Sequence, residues 1–377
     1  MKTIIFISPG PTFSPHSESY QSQYIRLSRY FRGYIWTTSP QSFSFKIQNF
    51  HLNSMKSNFT IWSNLRFAKF CIWNAIRLAK NHIKIDLVTT YDPLKTGLIG
   101  LAVSRLLGAK FAPEVNGVYT SPAEWLDLPN SLVNRMKQKI YPKIMGFVLR
   151  RANGIRLLFD GQITPFEQIC NDKIIRAFHC FVPTSQFRNI KEEKEVLFVG
   201  FPFKRKGVDI LIKAFKKIVH KYPDWKLKIL GWFPDPSELN RAIGRHPQIY
   251  HHPPVHYPEM PYHIGSCAIL VLPSRSEAMG RVLVEAKAAG KPCIGSNVDG
   301  IPTVIKDGID GLLVEPESVD DLARKLDSLM GNKELRERLG NAGAKRVKEE
   351  FTEDIYFNNV IKFYNEVIAS PSFLLME

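Results

Sequence analysis

The sequence has no apolar run approaching the roughly eighteen residues that a membrane-spanning helix needs, so no part of it is read as a transmembrane segment. The apolar stretch nearest the N-terminus, Ile4-Ile5-Phe6-Ile7, breaks at Pro9-Gly10 and is too short for the apolar region of a secretory signal. It reads as a first β-strand, and the chain is expected to be cytoplasmic. Cysteine is scarce. Cys71, Cys170, Cys180, Cys267 and Cys293 are odd in number and lack close metal-ligand spacing, which argues against a disulfide scaffold or a zinc site and for a reducing compartment. Cys267 and Cys293 are expected to be buried beside strands. Asn58-Phe59-Thr60 has the form of a glycosylation acceptor and, without a secretory signal, is read as coincidence.

Acid is what the first half lacks. Residues 1–180 hold 23 Lys and Arg against 9 Asp and Glu, a balance of +14, and residues 181–377 hold 28 against 26, a balance of +2, which together give the net +16. Such asymmetry suits an anionic partner for the first half: a phospholipid surface, a lipid-linked phosphate or nucleic acid. A plain solvated basic surface has the same composition. With 377 residues, 44% of them apolar, the chain is globular and exceeds what one core usually organises, so two domains are expected.

The most informative stretch is Ala268-Ile269-Leu270-Val271-Leu272-Pro273 followed by residues 274–290. The apolar run is short, branched and stopped by a proline, as a buried strand is. Val282, Leu283, Ala286 and Ala289 then recur at helical spacing, with Gly290 and Pro292 as a stop. This is strand, loop, helix, and in an open α/β sheet the crevice beyond the strand's carboxyl end takes ligands, with helix N-terminal amides suited to phosphate. Glu277 and Glu285 frame the turn, eight positions apart. Carboxylates there are poor partners for phosphate and good acceptors for the paired hydroxyls of a sugar or ribose. An ordinary connection, with Glu277 a solvated cap and Glu285 on a wet helix face, fits the pair taken alone.

The surrounding residues resemble the glutamate, seven residues, glutamate signature of the retaining glycosyltransferases of family 4. The resemblance extends over Val196 to Gly200, Arg205-Lys206-Gly207-Val208-Asp209, Gly231, Pro258-Glu259-Met260, Leu272 to Gly300, and Asp307-Gly308 with Gly311 to Pro316. It covers the second half densely and the first in outline. It implies an α/β chain of two Rossmann-like lobes, the GT-B fold, with a deep cleft between the lobes. The expected division is an acceptor-side lobe at 1–180, a linker at 181–194, a nucleotide-sugar lobe at 195–350, and a C-terminal helix at 351–377 that crosses back to the first lobe.

Along the chain, a strand at Thr3 to Ile7 leads into a polar loop and a helix near Ser19 to Phe31. Residues 38–58 show no clear period and are read as a mobile loop. Residues 59–80 interleave Trp62, Leu65, Phe67, Phe70, Trp73 and Ile76 with Arg66, Lys69, Arg77 and Lys80, which suits either an interfacial helix or a core helix of the first lobe. Residues 132–151 form a second basic helix. Strand Ile85 to Thr90, helix Pro93 to Leu107 and strand Lys110 to Val115 make a βαβ unit and imply a parallel sheet.

By resemblance, Glu285 accepts from the ribose hydroxyls and Glu277 from the donor-sugar hydroxyls. The amides of Ala278, Met279 and Gly280 lie near sugar or phosphate, and Gly231 and Met260 near the base. Arg205 and Lys206 neutralise the diphosphate. Phe201 stands where the family often has arginine, and the Arg205-Lys206 pair fits a variant spacing. On the acceptor or sugar side the candidates are Gly10, alone between prolines where the family has paired glycines, and Asn116, where the family often has histidine. Exposed basic residues before a helix, and an asparagine tolerating a turn, are the bland readings of these positions.

The activity implied is hexose transfer from a nucleotide-diphosphate sugar to a saccharide acceptor, lipid-linked, with retention. No Asp-x-Asp motif offers to hold a metal at the diphosphate, so no metal or cofactor is expected. The partners expected are the nucleotide sugar, the acceptor and an anionic membrane surface met through residues 59–80 and 132–151 on its inner face, with no nucleic acid. A nucleotide-sugar epimerase or hydrolase on the same lobes, and a non-catalytic basic membrane-binding protein, stay open as alternatives.

Overall fold

The computed structural model describes residues 1–8, 18–57 and 61–371, so Gly10 and the Asn58-Phe59-Thr60 tripeptide lie outside the described residues. The chain divides into two compact units, each built on its own sheet.

The first unit holds Met1–Gly117, Lys139–Phe178 and the chain from Tyr356 onward. Its strands are β1 (Lys2–Ile7), β2 (Phe31–Ser39), β3 (Phe43–Ile47), β4 (Phe50–Lys56), β5 (Leu87–Thr90), β6 (Lys110–Val115), β7 (Gly154–Leu157) and β8 (Ile174–Ala177), in the order β3-β4-β2-β1-β5-β6-β7-β8. Every pairing is parallel except β3 with β4. The expected helix to Phe31 stops at Leu27, and Phe31 instead opens β2.

Residues 38–58 are expected as a mobile loop, but the structure, described there to residue 57, orders them into strands. They carry a hairpin whose turn is Gln48-Asn49, with Gln48 at φ +50°. Phe43, Phe45 and Ile47 alternate with Ser44 and Lys46, and pair across to Ser54, Leu52 and Phe50. That period of two is a strand signal. The C-terminal helix Glu353–Ala369 buries Phe357, Val360, Phe363, Tyr364 and Val367 in one core with Ile4, Phe31, Phe50 and Leu52.

The second unit holds Val118–Gln138 and His179–Ile355. The first of these segments was expected to belong with residues 1–180. The structure attaches it here through polar contacts described below. The sheet is wholly parallel: β9 (Glu195–Val199), β10 (Lys226–Leu230), β11 (Ile249–His252), β12 (Ile269–Leu272), β13 (Cys293–Ser296) and β14 (Leu312–Val314), in the order β11-β10-β9-β12-β13-β14. Such strands, covered on both faces, are short apolar runs, as the sequence shows. Chain progression runs outward one way from β9 through β10 to β11, and the other way from β12 to β14. The order reverses between β9 and β12, which places a binding crevice at their carboxyl ends.

Helix Val208–Ile218 buries Val208, Leu211, Ile212, Phe215 and Ile218 at helical spacing. Cys267 and Cys293 are both fully buried at β12 and β13, where the thiols are pushed up by burial. A buried ionic knot ties helix Arg281–Ala288 to Asp310 and to helix Lys333–Glu350. Lys287 donates to Asp310 at 2.8 Å and to the Val304 carbonyl at 2.6 Å, and Arg346 donates to Asp310 at 3.0 Å and to Val304 at 2.9 Å. Burial lowers Lys287 despite Asp310, while Asp310, which burial alone would raise, is held down by its two cations.

Removing one partner of a buried ionic group leaves the others uncompensated. Asp310→Ala is therefore expected to cost about 3–5 kcal/mol in urea unfolding. A cost below about 1 kcal/mol would contradict a dry, interdependent knot.

Candidate functional site

The loop after β9, residues 200–207, and the loop after β12, residues 273–280, are pressed together. Gly207 sits at φ +69°, and a Cβ there would lie 1.9 Å from the Pro273 carbonyl oxygen, so only glycine fits. Arg275 forks onto Asp209 at 2.9 and 3.1 Å, and its backbone N–H donates to the Arg205 carbonyl at 2.8 Å. Two parallel N–H···O bonds to one carboxylate fix both position and angle. These ties bring Lys206 against Glu277, whose ammonium and carboxylate are in direct contact.

Glu277 is anchored from its backbone. Its N–H donates to Asp299 at 3.1 Å, Ser276 donates to the same Asp299 oxygen at 2.7 Å, and its carbonyl accepts from Gly300 at 3.0 Å. Burial works to raise its carboxyl, but Lys206, Arg205 and the Gly280 N–H prevail and hold it below the usual carboxylate range. Gly280, at φ +74°, opens helix Arg281–Ala288. Met279 turns its side chain inward, its sulfur 3.3 Å from Cys180, so only its backbone is offered to a ligand; Ala278 is half-buried.

Glu285 stands one turn into that helix and is 7% exposed. Burial raises its carboxyl, with Arg281 and Tyr257 opposing, and Tyr257 donates to it at 3.1 Å. Tyr257 begins the short turn Tyr257–Glu259 that precedes Met260, so the segment expected near a base reaches Glu285 through its tyrosine. Gly231 follows β10. A Cβ there would lie 2.2 Å from the Gly200 carbonyl oxygen, so the ends of β9 and β10 touch backbone to backbone.

Arg205 is already engaged: its Nη1 lies 3.3 Å from Glu124, and its N–H donates to Asp127 at 2.7 Å. Asn116 lies at the end of β6 in the first unit. Its Nδ2 donates to the Tyr91 carbonyl at 2.9 Å and to Glu114 at 3.1 Å, and its Oδ1 accepts from Arg156 at 2.8 Å. Both ends of its amide are thus committed within that unit. The second unit brings together Arg205, Lys206, Glu277, Ala278, Met279 and Gly280, with Glu285 on the helix that follows.

Sequence reasoning missed Arg275, Asp299, Tyr257, Glu124 and Asp127. Arg275 and Asp299 lay within the resembling stretch Leu272 to Gly300 and Tyr257 beside Pro258, while Glu124 and Asp127 come from a distant segment and carry no local signal. Among the described residues, no group of three or more His, Cys, Asp or Glu is arranged to hold a metal ion. No helix among them is long and apolar enough to cross a membrane.

The two units, each on a mostly parallel sheet, have the GT-B fold. Residues 184–346 match the family Glycosyl transferases group 1. An uncharacterized glycosyltransferase of Methanocaldococcus jannaschii is 34% identical over 45% of this chain and 48% of its own length. The capsular polysaccharide biosynthesis glycosyltransferase CapM of Staphylococcus aureus is 26% identical over 61% of this chain and 60% of its own. The matches thus span about half the length of these curated relatives. The Anabaena HepE structure, in complex with UDP and glucose, superposes with a TM-score of 0.72 over 97% of this chain and 100% of its own, at 14% identity, which is likeness of fold.

The two carboxylates have opposite signs in stability. A raised carboxyl costs stability as pH rises above the ordinary carboxylate range, whereas a lowered one adds stability there and loses it as pH falls through its folded value. Glu285→Gln is expected to melt higher than the wild type at pH 7, and Glu277→Gln lower, with both differences shrinking toward pH 3. Calorimetric melting across pH checks this; equal signs for the two variants would refute the assignment.

Proposed function

We propose that the chain is a retaining glycosyltransferase that moves a hexose from a nucleotide-diphosphate sugar to a saccharide acceptor in glycan or polysaccharide biosynthesis. The observation that carries this reading is the contact of Lys206, on the loop after β9, with Glu277, on the loop after β12, at the crevice where strand order reverses. One loop offers cations and amides for a diphosphate. The other offers a carboxylate for sugar hydroxyls, with Glu285 beyond it for the ribose. The group 1 family match, the glycosyltransferase relatives and the UDP and glucose bound by the similarly folded Anabaena protein all support it.

In this reading the bond from the anomeric carbon to the phosphate oxygen breaks while the acceptor oxygen attacks from the same face. The acceptor's proton passes to the departing phosphate oxygen, which retains configuration without a protein nucleophile. Negative charge grows on the leaving diphosphate, so Lys206, Arg205 and the amides at 278–280 stabilise the transition state more than the bound substrate. Glu277 orients the sugar; it is not assigned the acid or nucleophile role of a glycosidase. We propose that the reaction needs no metal.

The acceptor is proposed to be lipid-linked, met at an anionic membrane surface. Helix Ile61–Lys80 buries Phe67, Cys71, Ala75 and Leu78 on one face and exposes Leu65, Trp73 and Ile76 among Arg66, Lys69, Arg77 and Lys80 on the other. Core and interface readings of this helix thus describe its two faces. Helix Leu132–Leu149 exposes Leu132, Val133, Met136 and Ile140 beside Arg135, Lys137, Lys139 and Lys143. Apolar residues flanked by cations suit an anionic interface.

Thermal shift with UDP-, GDP- and ADP-sugars tests the donor site. One nucleotide sugar at about 100 times its dissociation constant is expected to stabilise the wild type by roughly 2.7 kcal/mol. The shift should vanish in Glu285→Ala and persist with chelator; no shift with any of them would sink the reading.

Flotation tests the surface: the protein is expected to rise with anionic liposomes at low salt and to be released as salt increases. Failure to float at low salt would favour a soluble acceptor.

A further inference from the structure

Every cation of the loop at 204–206 already faces a carboxylate. Lys204 meets Glu238 at 2.8 Å and Asp209 at 3.5 Å, Arg205 meets Glu124, and Lys206 meets Glu277. The backbone is occupied too. The two oxygens of Asp127 accept from the N–H groups of Lys204, at 2.6 Å, and Arg205, at 2.7 Å. Two successive amides converging on one anion form the kind of concavity that also takes phosphate. Asp127 is its present tenant.

The segment that supplies Glu124 and Asp127 buries little of itself. Its one turn, Pro122–Trp125, is capped by Ser121, whose Oγ accepts from Ala123 at 3.3 Å, and contains no buried residue. Leu126 and Leu128, on either side of Asp127, are 51% and 48% exposed. Leu126 and Leu128 therefore add little apolar packing beside Asp127, where the charged contacts contribute to the attachment. Neither acid is explained by the transfer chemistry, which needs the amides and the Arg205 guanidinium free for the donor.

We propose that Glu124 and Asp127 set the affinity of the 204–206 loop for phosphoanions, acting as an internal anion that a diphosphate must displace. This rests on the donor reading above. A diphosphate carries more charge than a carboxylate and takes the same donors. A ligand whose site is occupied part of the time binds with its intrinsic affinity reduced by that fraction. Displacement frees residues 118–131 at the moment the donor arrives, which couples donor binding to the position of this strap.

The test is calorimetric titration of the full chain with inorganic pyrophosphate and with UDP at low salt, for the wild type, Glu124→Gln and Asp127→Asn. Each variant is expected to bind both ligands roughly threefold to tenfold more tightly, as the competing anion is weakened. In the wild type, hydrogen exchange over 118–131 should quicken when pyrophosphate is added. A gain in affinity in either variant supports the proposal. Unchanged or weaker binding in both, with UDP still binding the wild type, overturns it and leaves the donor reading intact. No binding of either ligand to any of the three proteins overturns both. Should Asp127→Asn fail to fold, Glu124→Gln and the exchange measurement decide by the same criteria.

Discussion

The candidate site depends on one close approach, that of the loop after β9 to the loop after β12. Gly207 is pressed on the Pro273 carbonyl with no room for a side chain, and Arg275 holds the same two loops with a bidentate fork onto Asp209. Only with that contact made do Lys206 and Glu277 meet. The sheet supplies the reason for the place. Where parallel strand order reverses, the connecting loops diverge to opposite sides and leave a crevice that backbone amides and side chains can line.

Electrostatics in this crevice is a balance of unlike environments for like groups. Glu277 is held down against its burial because Lys206, Arg205 and an amide outweigh desolvation; Glu285 is raised by burial, which outweighs Arg281 and the Tyr257 phenol. The two carboxylates are thus prepared differently for hydroxyl-bearing ligands before any ligand arrives. Keeping a raised, buried carboxyl on helix Arg281–Ala288 costs stability, and binding sites commonly carry such costs. The buried knot ties this helix, through Lys287, to Asp310 and Arg346.

Much of this was legible in the residues. The strand at Lys110–Val115, the strand at Ile269–Leu272 and the helix at Arg281–Ala288 fall where apolar period and stop signals put them. The glutamate pair stood out because two carboxylates bracket a strand, loop and helix. The hairpin at 43–56 was missed although Phe43, Phe45 and Ile47 alternate, because a run of polar and aromatic residues around them obscures the period. Asn116 shows the opposite limit: its place in sequence suggested a ligand, while its neighbours in space occupy its whole amide.

The sequence by itself determined the parallel βαβ unit of the first half and the strand, loop and helix that bear the glutamates, since these follow from local period, chain stops and residue type, while the two-lobed plan came through the resemblance. Tertiary structure alone decided who faces whom. That Glu277 is paired with Lys206, that Tyr257 caps Glu285, and that Asp127 fills the amides of Lys204 and Arg205 from 77 and 78 residues away, are facts of long-range packing. A carboxylate's partner is chosen by distance in space, and no local pattern encodes it.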